Sequence, residues 1–103
     1  MKKIAVLGGG ISGYGSAILA KKKRFDVFLS DAGRIADRYK AKLDEWQVPY
    51  EEGGHTEERI LAAHEVVKSP GIPETAPIVR KIRAAGIPVI SEMEFAGRYL
   101  GRS

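Results

Sequence analysis

A three-layer α/β sandwich is predicted, with a mostly parallel five-stranded sheet in the Rossmann-like order 3-2-1-4-5. Three observations predict it. The apolar run Ile4–Leu7 breaks directly into Gly8-x-Gly10-x-x-Gly13, and a helical pattern starts at once. Short apolar segments then recur between helix-forming stretches, which is the signature of βαβ units and a parallel sheet. The fourth of these segments ends in Ser69-Pro70-Gly71-Ile72-Pro73, a rigid non-helical loop. With strands one and four adjacent, that loop faces the glycine turn across the switch point where such sheets bind ligands. Residues 1–103 are read as one domain.

The glycine spacing carries a physical reason at each position. Gly8 permits the tight turn, Gly10 lets a phosphate approach the backbone, and Gly13 lets the helix pack close to the strand. Unpaired N–H groups at the helix start, together with its dipole, make a seat for an anion.

The first helix is expected over Ile11–Lys23, with Ile11, Ile18 and Leu19 on its apolar face and Ala17 and Ala20 close to the sheet. Gly15 inside it marks an expected tight contact. Asp26–Asp31 is the second strand, and Asp31 stands 18 residues beyond Gly13. An acid about 20 residues on accepts a ribose hydroxyl in dinucleotide-binding units. A second helix over Arg34–Trp46 places Ile35, Tyr39, Leu43 and Trp46 on one stripe, read as packing. Val48–Glu52 is a short strand whose Pro49 argues for a sheet edge.

Thr56 is a candidate N-cap for a short helix over Glu57–Ala63, with Glu57 and Glu58 in its first turn. Glu65–Lys68 is the fourth strand. A helix over Ala76–Ala85 follows, with Pro77 in its first turn and Gly86 closing it. Pro88–Ile90 starts the fifth strand. Ser91-Glu92-Met93-Glu94 then reads as a capping box for a last helix with Phe95, Tyr99 and Leu100 on its apolar side. The stop at Gly101-Arg102-Ser103 is expected to border a further domain.

Composition excludes several function classes. Zero cysteines leave no disulfide, thiolate metal site or cysteine nucleophile. His55 and His64 are the only histidines, neither in zinc-ligand spacing, and both are read as having no chemical role. No stretch approaches the ~20 apolar residues of a membrane span, so no membrane contact is expected. The net charge of +4 is concentrated in Lys21-Lys22-Lys23-Arg24, at a helix C-terminus where the dipole favours cations. No aromatic residues interleave with that run, so it is read as a solvated helix end and not a nucleic-acid surface.

Taken together, the glycine turn, the acid after strand two, Ser69–Pro73 after strand four and Ile90-Ser91-Glu92-Met93-Glu94-Phe95 resemble the N-terminal domain of the Mur ligases. Among these the chain is most similar to the D-glutamate-adding ligases of peptidoglycan synthesis. The resemblance implies a uridine-diphosphate-binding domain of a bacterial cytoplasmic ligase, the N-terminal fragment of a three-domain enzyme, acting on UDP-N-acetylmuramoyl-L-alanine.

It carries the diphosphate onto Gly10, Ile11, Ser12 and Gly13, and the uracil and ribose onto Asp31, Ala32 and Gly33. Ser69, Pro70 and Gly71 then face the diphosphate and sugar. Family members can have threonine and arginine after the acid, where this chain has Ala32 and Gly33, and Arg34 is the candidate substitute. ATP and magnesium are implied for the whole ligase, with the remaining domains in cis. The family's Gly-x-x-Gly-Lys-Thr/Ser loop does not occur in these 103 residues, so no cofactor and no catalytic residue is assigned here. The glycine turn and Asp31 alone serve an NAD(H)-binding regulatory module equally well.

Overall fold

The computed structural model describes residues 1–100; Gly101–Ser103, the expected domain border, lie outside the described residues. Among the described residues ten elements alternate: β1 (Lys3–Leu7), α1 (Ile11–Lys22), β2 (Asp26–Asp31), α2 (Asp37–Glu45), β3 (Tyr50–Glu52), α3 (Glu57–Leu61), β4 (Glu65–Lys68), α4 (Pro77–Ala84), β5 (Val89–Ser91) and α5 (Glu92–Tyr99). The five strands form one sheet in the order β3-β2-β1-β4-β5. Every pairing is parallel.

Alternation along β1 divides the interior in two. Ile4 and Val6 point into one layer with Ala17 and Ala20 of α1, Leu43 of α2 and Phe95 of α5. Ala5 and Leu7 point the other way, onto Ile60 of α3 and Ile78, Val79 and Ile82 of α4. Strands covered on both faces read as unbroken apolar runs, which is why Ile4–Leu7 shows no polar alternation. Removing these side chains from water is the main force holding helices to sheet.

Register aligns the strand ends that matter. Leu7 pairs with Ser30 on one side and with Lys68 on the other. The next residues, Gly8, Asp31 and Ser69, therefore emerge on one rim. At the opposite edge Glu65 is buried and receives Lys2 at 3.2 Å and Arg98 of α5 at 3.0 Å. Burial pushes the Glu65 carboxyl up, but those two cations outweigh it and hold it below its ordinary range.

Several local expectations are corrected. Helix α2 starts at Asp37 and not Arg34, because Gly33 O accepts from Gly53 N and Ile35 N donates to Glu52 Oε1. Those bonds hold 34–36 out of the helix. The buried face of α1 is Gly13, Ser16, Ala17 and Ala20, while Ile11 is 69% exposed. A Cβ on Gly15 would meet nothing within 4 Å, so the tight contact lies one half-turn earlier, at Gly13. Tyr39 does pack, stacked on Tyr14 at 4.4 Å, but Trp46 lies at the surface with Lys22 over its ring, and Leu100 is exposed. Ser91 caps α5 by accepting from Glu94 N, as the capping box requires.

Among the described residues three helices end in the same left-handed cap, and one of these uses glycine. After α1, Arg24 N bonds Lys21 O and Phe25 N bonds Ala20 O, with Arg24 at φ 67°. Gln47 and Gly86 repeat the arrangement after α2 and α4. A left-handed residue with a Cβ costs roughly 1–2 kcal/mol, part of which glycine returns through its freer unfolded chain. Arg24→Gly is therefore expected to stabilise the fold by about 0.5–1 kcal/mol, read from denaturant unfolding.

Candidate functional site

The site grows out of the turn between β1 and α1. Gly8 sits at φ +103°, a conformation that a side chain disfavours, and a Cβ there would approach Ser69 Cβ to 2.8 Å. Gly13 is the tighter constraint: its Cβ would lie 1.8 Å from Gly8 O. The first turn of α1 thus rests directly on the backbone of the glycine turn, which no other residue permits. Above Gly10 there is open space within 4 Å, so a ligand can reach the backbone there.

The N-terminus of α1 is left without a cap. Gly10 supplies no side chain to it, and the first turn holds no acidic residue. Tyr14 N is the first to close a bond along the helix, onto Gly10 O. The preceding N–H groups and the dipole therefore favour an anion at this point.

Asp31 shapes the same turn. Its Oδ2 accepts from Gly9 N at 2.7 Å and its Oδ1 from Gly33 N at 2.8 Å. Each oxygen keeps a further lone pair for a ligand donor. Opposite, Lys68 donates from its largely buried ammonium to Ile72 O at 2.6 Å and Ser69 O at 3.3 Å, fixing the Ser69–Pro73 loop. Within that loop Ile72 N bonds Ser69 O, and Gly71 N makes only a long contact to Ser69 Oγ.

Between these walls lies a cleft of about 660 Å³. Of the residues predicted from sequence, it brings together Gly10, Asp31, Ala32, Ser69 and Gly71. Ser12 and Pro70 line an adjoining groove between α1 and α5 instead. Ile11 is exposed beside the rim, Gly13 is buried beneath it, and both backbone groups of Gly33 are engaged. Arg34, the proposed substitute, does not line the cleft.

His55, read as a plain loop residue, does line it, with Nδ1 2.6 Å from the buried Ser30 Oγ. Its partner Ser30 lies on β2, so no local spacing in the sequence announces it. Thr56 caps α3 in position only: its hydroxyl and N–H both go to Glu51, at 2.6 Å each. His64 accepts from Lys3 N, far from the rim.

A sequence profile of the Mur ligase MurD-like N-terminal domain matches residues 2–91. The chain belongs to this family. It is 60% identical over 99 residues to a UDP-N-acetylmuramoylalanine–D-glutamate ligase of Bacteroides fragilis, covering 96% of this chain and 22% of that protein. The corresponding ligase of Porphyromonas gingivalis is 57% identical over 96 residues, with 93% and 21% covered. The chain thus spans about a fifth of the length of the curated relatives it matches. Its fold superposes on the murein peptide ligase Mpl of Psychrobacter arcticus with a TM-score of 0.85 at 23% identity, over 95% of this chain and 20% of that one.

One feature of this Mur-type domain lies under the anion seat. Glu92, at the start of α5, is buried, and its Oε2 has no hydrogen-bond partner among the described residues. That oxygen is 3.5 Å from the Cβ position of Gly13. Burial pushes the Glu92 carboxyl up, and the Ser12 hydroxyl and Lys68 charge pull it back only in part. A carboxyl whose folded pKa is raised binds its proton more tightly when folded, so its ionisation costs stability as pH rises above the unfolded value. Glu92→Gln is expected to be more stable than the parent at pH 8, by roughly 1 kcal/mol, and to lose that advantage near pH 4. Thermal unfolding at the two pH values checks it.

Proposed function

We propose that this chain is the uridine-diphosphate-binding domain of a D-glutamate-adding peptidoglycan ligase of the bacterial cytoplasm, with UDP-N-acetylmuramoyl-L-alanine as its ligand. The observation that carries this reading is the polarity of the cleft. One end offers the uncapped N–H groups of α1 and the loop braced by Lys68, with Ser12 in the adjoining groove; the other offers the Asp31 carboxylate. A diphosphate fits the first end, and a nucleoside with hydroxyl donors fits the second.

In this reading Gly10, Ile11, Ser12 and Gly13 hold the diphosphate through backbone N–H groups and the Ser12 hydroxyl. Asp31, Ala32 and Gly33 receive the nucleoside, with backbone and carboxylate contacts where relatives offer longer side chains. Ser69, Pro70 and Gly71 close the sugar side. ATP, magnesium and the ligation chemistry belong to further domains in cis, and this chain supplies binding and orientation. Family membership, together with identities near 60% to D-glutamate ligases, supports this over a dinucleotide-sensing module.

Titration of the chain with UDP-N-acetylmuramoyl-L-alanine, UDP and NADH, followed by backbone amide NMR, separates the two. The uridine ligands are expected to shift Gly10–Gly13, Asp31–Gly33 and Gly71, with NADH silent. Saturable NADH shifts at those amides with UDP silent would refute the proposal.

A further inference from the structure

At the nucleoside end of the cleft, three side chains from β2, β3 and the loop after β3 form one chain of hydrogen bonds. Ser30 Oγ donates to Glu51 Oε2 at 2.8 Å and lies 2.6 Å from His55 Nδ1. Glu51 also receives the Thr56 N–H and hydroxyl, at 2.6 Å each. Burial pushes the Glu51 carboxyl up, but the Thr56 and Ser30 donors outweigh it and keep it below its ordinary range. It is therefore an ionised, acceptor-only group.

That charge sets the direction of the chain. Ser30 has one proton, and a carboxylate is the stronger acceptor for it. The Ser30 oxygen is then left to accept, so His55 Nδ1 must carry the donating hydrogen. In the neutral ring this tautomer leaves a lone pair on Nε2. Nδ1 is turned to a fully buried serine, and His55 lines the same cleft as Asp31 and Ala32. The corner thereby holds two acceptors, Asp31 and His55 Nε2, within one enclosure. A vicinal diol supplies the two matching donors, whereas a phosphate supplies none.

We propose that His55, oriented by Ser30 and Glu51, is a specificity-determining residue that accepts a hydrogen bond from a ribose hydroxyl of the nucleotide. This rests on the uridine reading above. Ser30 and Glu51 are positioning residues that act through the His55 tautomer. The device has no sequence motif, since its members stand 21 and 25 residues from Ser30 and meet only in the sheet.

The test uses UDP, 2′-deoxy-UDP and 3′-deoxy-UDP as probes, with amide NMR titrations of the chain and of His55→Phe, His55→Gln and Ser30→Ala. One deoxy analogue is expected to bind the parent about threefold to tenfold more weakly than UDP. His55→Phe should bind UDP and that analogue alike, and His55→Gln, which keeps an acceptor, should recover part of the preference. Ring ¹⁵N shifts should place the proton on Nδ1 in the parent and move it toward Nε2 in Ser30→Ala.

A parent and His55→Phe that bind UDP equally would overturn the proposal while the uridine reading stands. So would a ring proton on Nε2 in the parent. Failure of UDP to move the parent's glycine-turn amides would instead remove the uridine reading, and this contact with it.

Discussion

The contact between Gly13 and the carbonyl of Gly8 is the constraint on which the rest of the site depends. With a Cβ position only 1.8 Å from that oxygen, α1 can sit on the β1–α1 turn only if residue 13 has no side chain. The consequence is reach. The helix starts within three residues of the sheet rim, its free N–H groups open toward the cleft, and its Ala17 and Ala20 lie flat against β1 and β2. Asp31 completes the turn from the side by taking Gly9 N, so the second strand and the glycine turn are set as a unit. Packing and binding geometry thus come from the same atoms.

Electrostatics then divide the cleft lengthwise. Donors gather at the α1 end, where Lys68 also sits beneath the Ser69–Pro73 loop with its ammonium spent on loop carbonyls. Acceptors gather at the β2–β3 end, in Asp31 and the hydrogen-bonded set of Ser30, Glu51 and His55. That arrangement suits a ligand with a negative middle and a hydroxyl-bearing end, as the proposed function requires. Glu92 is the exception to this order, a buried carboxyl on the donor side with an oxygen unpartnered among the described residues. Its displaced ionisation is the stability cost of bringing α5 so close under α1.

Much of this was legible in the sequence where the signal is local. The glycine spacing, the strand-helix alternation and Ser69–Pro73 specified the sheet order and the two facing loops, because each rests on backbone conformation within a few residues. Ser91 as cap of α5 was legible for the same reason. What failed was what tertiary bonds decide. Arg34–Ala36 have helical propensity but are held out of the helix by bonds from Glu52 and Gly53, and Gly15, expected at a tight contact, has open space around it while Gly13 makes the close approach its spacing predicts. The place of His55 in the cleft lining has no local signal, because its contact is to Ser30 on another segment. Lys68 was read as the end of a strand, and only the fold shows it bracing a loop.

The central claim is that the cleft holds a nucleoside diphosphate in one direction, and a crystal structure of the chain soaked with UDP tests it most directly. The account predicts the diphosphate over the backbone N–H groups of Gly10–Gly13, with the ribose between Asp31 and His55. A nucleotide bound with its ribose over the α1 N-terminus, or seated away from this cleft altogether, would contradict it.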